Sequence, residues 1–328
     1  MRTNRLMNRR LGLTAVLLVL GVVLGFGAPG LGKGRLFVIV AKSESDMNFV
    51  RVFEAAKTEA EAFGDRMVLV GGKGKAHFRI QDEEVRNVLA QKPDGLAISV
   101  LHSRFLAENS FKLVRAAEVP VVTFDSDFTE EYQSLRAGYI GTDNEELGRE
   151  LARQTQRLRP EGGMVAIMTG GLDDTNLNDR IRGVIVQFDF DAPGSRWTLL
   201  SRSPIPCRDN YDEALRQLKA LLDDESVSVI ISVGWWAQMT EGYEPLVRQY
   251  RRSMSRADKI LAFAGAHPTQ RKLFAKRLSH VNIGLDFEAM GRLAYKNLSA
   301  LADGGTVPSR TFTPMRIYSQ DCLYTPAR

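Results

Sequence analysis

The stretch Pro120–Asn144, PVVTFDSDFTEEYQSLRAGYIGTDN, decides the architecture of the chain. Val121-Val122-Thr123-Phe124 is a short, mainly apolar run, and Asp125 follows it directly. Such a run marks a strand covered on both faces of a parallel sheet, with a polar side chain emerging at its carboxyl end. In open α/β sheets, ligands bind in the crevice beyond those strand ends. After a polar link, Tyr139-Ile140 starts a second apolar run that closes on Gly141-Thr142-Asp143-Asn144. Asp143 or Asn144 could cap a following helix, because a side-chain oxygen there accepts from the first unpaired amides. One strand ends, the chain crosses over, and a second βα series begins. This is the hinge of a two-lobed protein with its ligand held between the lobes.

Working outward, the same alternation continues in both directions. Upstream, strands are expected at 35–41, 67–70 and 96–100, with helices at 49–63, 80–90 and 104–117. The first of these helices carries Phe49, Val52, Phe53, Ala56, Ala60 and Phe63 three or four residues apart. Gly71–Lys75 lacks the Gly-Lys-Ser/Thr ending of a phosphate loop and reads as a surface loop. Downstream, Leu147, Leu151 and Leu158 fall on one face of a helix after Asn144. Strands are then expected at 164–168, 197–201, 227–232, 259–263 and 281–285, with helices near 178–188, 211–222, 237–250 and 269–277. A last helix spans 287–301. Regular alternation of this kind makes the fold class α/β: two Rossmann-like lobes, each a parallel sheet flanked by helices with right-handed crossovers.

Bulk properties agree. A chain of 328 residues with 44% hydrophobic and 25% charged residues suits an ordinary globular protein of two lobes. The net charge of +5 is misleading. Arg2, Arg5, Arg9, Arg10 and Lys33 lie in the first 33 residues, which hold no acid; set aside, they leave the remaining bases equal to the 39 acids. A neutral mature domain gives no argument for nucleic acid. The N-terminus itself is basic to Arg10 and apolar from Leu11 to Phe26, then rich in small residues, the three-part pattern of a secretory signal peptide cleaved near 27–33. An uncleaved anchor is the other reading, although the apolar run is short for a span of about 20 residues. His77, His102, His267 and His280 are scattered without ligand spacing, so neither a metal nor another cofactor is expected.

The motifs at 120–127 and 139–144, with Gly148 four residues on, resemble the periplasmic sugar-binding proteins of the ribose- and galactose-binding type. These share the type I periplasmic binding protein fold with the effector domains of LacI-type repressors. The likeness runs over roughly residues 35–320. It implies a signal peptide at 1–33, an N-terminal lobe of 34–138 and 286–312, and a C-terminal lobe of 139–285 and 313–328. Three interlobe crossings follow, near 126–138, near 285 and near 310–315. Cys207 and Cys322 would both fall in the C-terminal lobe, which permits a disulfide; two buried thiols remain the alternative.

Carried onto this chain residue by residue, the resemblance places ligand contacts at Asp46, Asn48, Phe49, Asp125, Arg180 and Asp286, with helix core the other reading of Phe49 and an N-cap that of Asp286. Asp127, otherwise a hinge residue, and Trp235, where the family usually shows Asn or Asp, are further candidates. Carboxylates would accept from hydroxyls, Arg180 would donate, and Phe49 and Trp235 would cover the apolar face of a ring. The chain departs from the family in having Ser126 where ribose binders carry Arg, and Ala264-Gly265-Ala266-His267 where an Asp is usual. The function implied is an exported, monomeric solute-binding protein that closes on a carbohydrate and serves an ABC-type sugar transporter. The alternative partner is a chemoreceptor or sensor kinase. A hydrolase working through Asp125 and Asp286 finds no supporting nucleophile or metal motif.

Overall fold

The structure, a computed structural model, describes residues 34–320 apart from Lys75. The expected signal peptide at 1–33 and the Cys207–Cys322 pairing therefore fall outside the described residues; Cys207 itself is buried. The first lobe runs β1 (Leu36–Ser43), α1 (Met47–Ala62), β2 (Arg66–Gly72), α2 (Phe78–Leu89), β3 (Gly95–Ile98), α3 (Ser103–Glu108), α4 (Ser110–Ala116), β4 (Val121–Phe124) and β5 (Gly138–Gly141). The second lobe contains α5 (Asn144–Leu158), β6 (Gly163–Thr169), α6 (Thr175–Phe188), β7 (Trp197–Leu199), β8 (Ile205–Pro206), α7 (Tyr211–Asp223) and β9 (Val227–Ser232). It continues through α8 (Tyr243–Gln249), α9 (Arg251–Ser255), β10 (Ile260–Ala264), α10 (Pro268–Ala275) and β11 (Val281–Leu285). Then α11 (Phe287–Ala302) and β12 (Arg310–Phe312) join the first lobe, and β13 (Met315–Ser319) pairs in the second.

The two sheets repeat one order. The first is β2-β1-β3-β4-β5-β12 and the second β7-β6-β9-β10-β11-β13, with β8 pairing on β6. All pairings are parallel except β11 with β13. In this order the connections reverse direction between the first and third strands of each lobe, so the ligand crevice lies outside the ends of β1 and β3, and of β6 and β9. Strand β1 shows why its sequence does not alternate. Phe37, Ile39 and Ala41 pack against α1 and α11, while Leu36, Val38 and Val40 pack against α2 and α4 on the opposite face.

The first crossing lies later than the sequence reading put it. Tyr139 pairs with Thr123 of β4, so residues 138–141 complete the first sheet and the chain leaves that lobe only between β5 and α5. The boundary expected between 138 and 139 moves accordingly, because an apolar run says that a strand exists and not which sheet it joins. The chain also passes from β11 of the second sheet to α11, which packs on the first, and from β12 of the first sheet to β13 of the second. Two long helices are shorter in fact. The expected 104–117 helix breaks at Asn109 (φ −117, ψ −103), and the 237–250 helix gives way to a single 3-10 turn at Trp236–Met239 followed by α8 and α9. Gly71 and Gly72 are not loop but the buried end of β2, where a side chain on Gly71 would meet the Ala41 carbonyl oxygen at 3.0 Å.

Each lobe holds a close helix pair that only glycine permits. A Cβ on Gly291 of α11 would run into the Val52 carbonyl of α1, and one on Gly183 of α6 into the Glu145 carbonyl of α5. Among the described residues, no helix is long and apolar enough to cross a membrane.

Candidate functional site

A cleft of about 1020 Å3 opens where the strand ends of the two lobes meet. Asp125 is its anchor in the first lobe. Its backbone sits at φ 57, a left-handed conformation that Asp tolerates better than most residues but still at a cost. The conformation is held by its own amide donating to the Ile140 carbonyl (3.1 Å), and by the Tyr139 hydroxyl donating to its carbonyl (3.1 Å). Its carboxylate accepts from Ser99 Oγ at 3.0 Å and from Asn176 Nδ2 of the second lobe at 3.3 Å. The turn beyond β4 thus aims a carboxylate across the lobes.

Around it the lobes are joined by a second polar contact. Lys42, at the carboxyl end of β1, donates to Asp174 at 2.7 Å and to Asn176 Oδ1 at 3.4 Å, both at the start of α6. Burial opposes the charge on Lys42, but Asp174, Asp125 and Asp209 more than offset it and hold the ammonium above its ordinary pKa. Burial pushes the Asp46 carboxyl up to about 6, aided by Asp125 and Asp209 and opposed by the Asn48 amide and by Lys42. Arg180, 5% exposed, donates to Asn144 Oδ1 at 2.8 Å and to the Val233 carbonyl at 2.9 Å. Burial lowers its pKa, against the nearby Asp125. Among the described residues no cluster of His, Cys, Asp or Glu has the arrangement of a metal site.

The adjacent tryptophans face different neighbours. Trp236 donates from Nε1 to Asp209 at 2.8 Å, and its ring fills the space left by Gly170 and Gly234, where any side chain would collide with it. Trp235 sets its ring edge-on to His267 at 5.9 Å, and both residues line the cleft.

Of the residues expected to hold ligand, Asp46, Asn48, Phe49, Asp125, Arg180, Trp235 and Asp286 all line this cleft. Several have structural duties as well. Asp46 caps α1 by accepting from the Asn48 amide, Asp286 caps α11 by accepting from the Ala289 amide, and Phe49 is packed edge-on against Phe124 in the core. Asp127 does not line the cleft. It accepts from Arg136 at 2.6 Å and from Thr123 Oγ1 at 2.6 Å, a buried pair that fixes the chain after β4. The structure adds Lys42, Asp174, Asn176, Asp209 and Trp236, which the sequence reading missed. Lys42 follows an apolar strand run as Asp125 does, and that was the available signal; Asp174 lies five residues beyond the end of β6. Gly74, placed in a surface loop, also lines the cleft, and its carbonyl accepts from Ser43 Oγ at 2.6 Å.

With fold and cleft in view, the chain is placed by comparison. Residues 37–306 match the model of the periplasmic binding protein domain, and the chain belongs to that family. A glucose-galactose binding protein from Geobacillus stearothermophilus superposes with a TM-score of 0.76 at 20% identity, over 88% of this chain and 98% of that one. An ABC transporter solute-binding protein from Burkholderia graminis, in complex with D-arabinose, gives 0.75 at 21% identity over 90% and 99%. One from Agrobacterium vitis with bound D-fucose gives 0.76 at 15% identity over 88% and 96%. These likenesses establish the type I periplasmic binding protein fold. A comparison with curated proteins found no match.

Proposed function

We infer that the protein is an exported solute-binding protein that holds a small polyhydroxylated ligand, a carbohydrate, between its lobes and delivers it to an ABC-type membrane permease. One observation carries this reading: acceptors and donors from both lobes converge on a single cleft beside tryptophan walls, with Asp125 and Asn176 meeting across it. Carboxylates accept from sugar hydroxyls, Arg180 and Lys42 donate, and an indole face covers the C–H face of a ring. Binding that draws on both lobes at once favours their closed arrangement, the form a permease can tell from the open one. The sugar-bound relatives of like fold support the ligand class, and the basic–apolar N-terminus supports export.

The test is a thermal-shift panel of pentoses, hexoses, polyols, amino acids and quaternary amines on protein stripped of carried ligand by denaturation and refolding. A ligand at 100 times its dissociation constant stabilises by about 2.7 kcal/mol, a shift of several degrees. A shift with one sugar class is the expected result; a shift with amino acids or amines alone overturns the carbohydrate reading.

A further inference from the structure

The cleft is electrically polarised. One end gathers carboxylates: Asp46, Asp125, Asp174 and Asp209 stand around Lys42 and Arg180. The other end is basic. Arg51 of α1 and Arg271 of α10, from opposite lobes, both bear on His267, whose pKa burial lowers first and these two charges lower further. Arg316 of β13 is paired in register with Gly284, which packs against Ala266 beside His267, so it belongs to the same end. The two tryptophans divide the ends, Trp236 bonded to Asp209 and Trp235 against His267.

The acids at the basic end are already committed. Glu288 accepts from Arg51 through both oxygens at 2.8 Å, and Asp286 caps α11. The side chains of Arg271 and Arg316 have no hydrogen-bond or ion-pair partner among the described residues. Arg271 and Arg316 of the second lobe line the cleft wall without a matching acid, beside the already paired Arg51, and leave a place for an anion. Guanidinium groups suit it, because their planar fork matches a carboxylate or phosphate with two parallel bonds. The cleft, about 1020 Å3, lies at the upper end of the range for small-molecule sites and has room for more than one sugar ring.

We propose that the ligand is an acidic saccharide: its hydroxylated ring lies at the Lys42–Asp174–Asp125 end and its carboxylate or phosphate at the Arg51–Arg271–Arg316 end. This rests on the carbohydrate reading above and narrows it to a charged class.

The test uses matched probes on the refolded protein: glucose, glucuronate and glucose 6-phosphate, then galactose and galacturonate, with inorganic phosphate and acetate alone as controls, titrated calorimetrically at low and at physiological salt. At least one acidic sugar binds about tenfold or more tightly than its neutral partner, in keeping with a charge-assisted bond, and the advantage shrinks as salt rises. Which arm prevails distinguishes a carboxylate from a phosphate. Arg271→Gln and Arg316→Gln each narrow the ratio between the acidic sugar and its neutral partner, with thermal melts reporting that the fold is kept. Neutral sugars binding as tightly as their acidic partners overturn the inference and leave the carbohydrate reading standing. A ratio that survives both substitutions also overturns it. Folded protein that binds no sugar of either kind overturns both.

Discussion

Asp125 and Asp127 stand two residues apart and meet opposite fates. The first turns into a left-handed backbone and faces the cleft; the second folds back onto Arg136, whose side chain is 5% exposed. Removing one partner of a buried pair leaves the other charge uncompensated, which costs about 3–5 kcal/mol. Asp127→Ala should therefore lower the urea midpoint strongly and keep ligand affinity. Asp125→Ala should lower affinity by about tenfold or more, and equal affinity losses in the two variants would refute the division of roles. Asp46 offers a test in pH. Its folded pKa of about 6 lies above the ordinary value of 3.8, so the folded state holds that proton more tightly than the unfolded chain does. The stability this contributes is complete below pH 3.8 and is lost as pH rises through about 6. Asp46→Asn keeps a capping oxygen but cannot ionise. Its melting temperature should gain on the parent between pH 4 and pH 7; a constant difference across that window would count against a raised carboxyl. At this scale the sequence marked Asp125 because an apolar run stops on it. Lys42 obeyed the same rule, yet a lysine entering a run of Ser, Glu and Asp looks like a surface loop. Asp209 gave less still: the strand before it is two residues long, and its placement depends on positive φ at Arg208 and Asp209.

At the scale of elements, the α5–α6 pair decides where Arg180 sits. Gly148 and Gly183 let the two backbones approach so closely that the Arg180 carbonyl fills the space a Cβ on Gly148 would need. Gly183→Ala must push α6 away from α5. We expect a lower melting temperature together with weaker ligand binding, measured by thermal melts and calorimetry. Unchanged binding in a destabilised variant would mean that Arg180 is placed by its own bonds to Asn144 and Val233 rather than by the helix. The elements themselves were largely legible, because strands covered on both faces read as apolar runs and helices show a stripe. The 3-10 turn at Trp236–Met239 escaped because Trp236 and Gln238 are both buried, which removes any one-sided stripe. The edge strands were hardest: β8, β12 and β13 are short or exposed, and partner choice decides them more than their own residues do.

Over the whole molecule, the repeated strand order makes the lobes two versions of one design facing each other across the cleft. They are linked by Lys42 to Asp174 and by Asn176 to Asp125. Lys42→Met should remove the stronger link, so solution scattering of the empty protein should give a larger radius of gyration than the parent. An unchanged radius would place the closed preference elsewhere. The overall plan of two α/β lobes with mainly parallel sheets was legible in the sequence. The first crossing and the Lys42–Asp174 link were not, since both depend on contacts between segments far apart in the chain.

The return of α11 sets an order in time. The face of the first sheet formed by Phe37, Ile39 and Ala41 is covered partly by Met290, Ala294 and Leu298, and β12 pairs on β5 later still. A growing chain has therefore made the whole second lobe before it can finish the first. Until then that apolar face stays open to solvent, so the first lobe is completed late although it begins the chain.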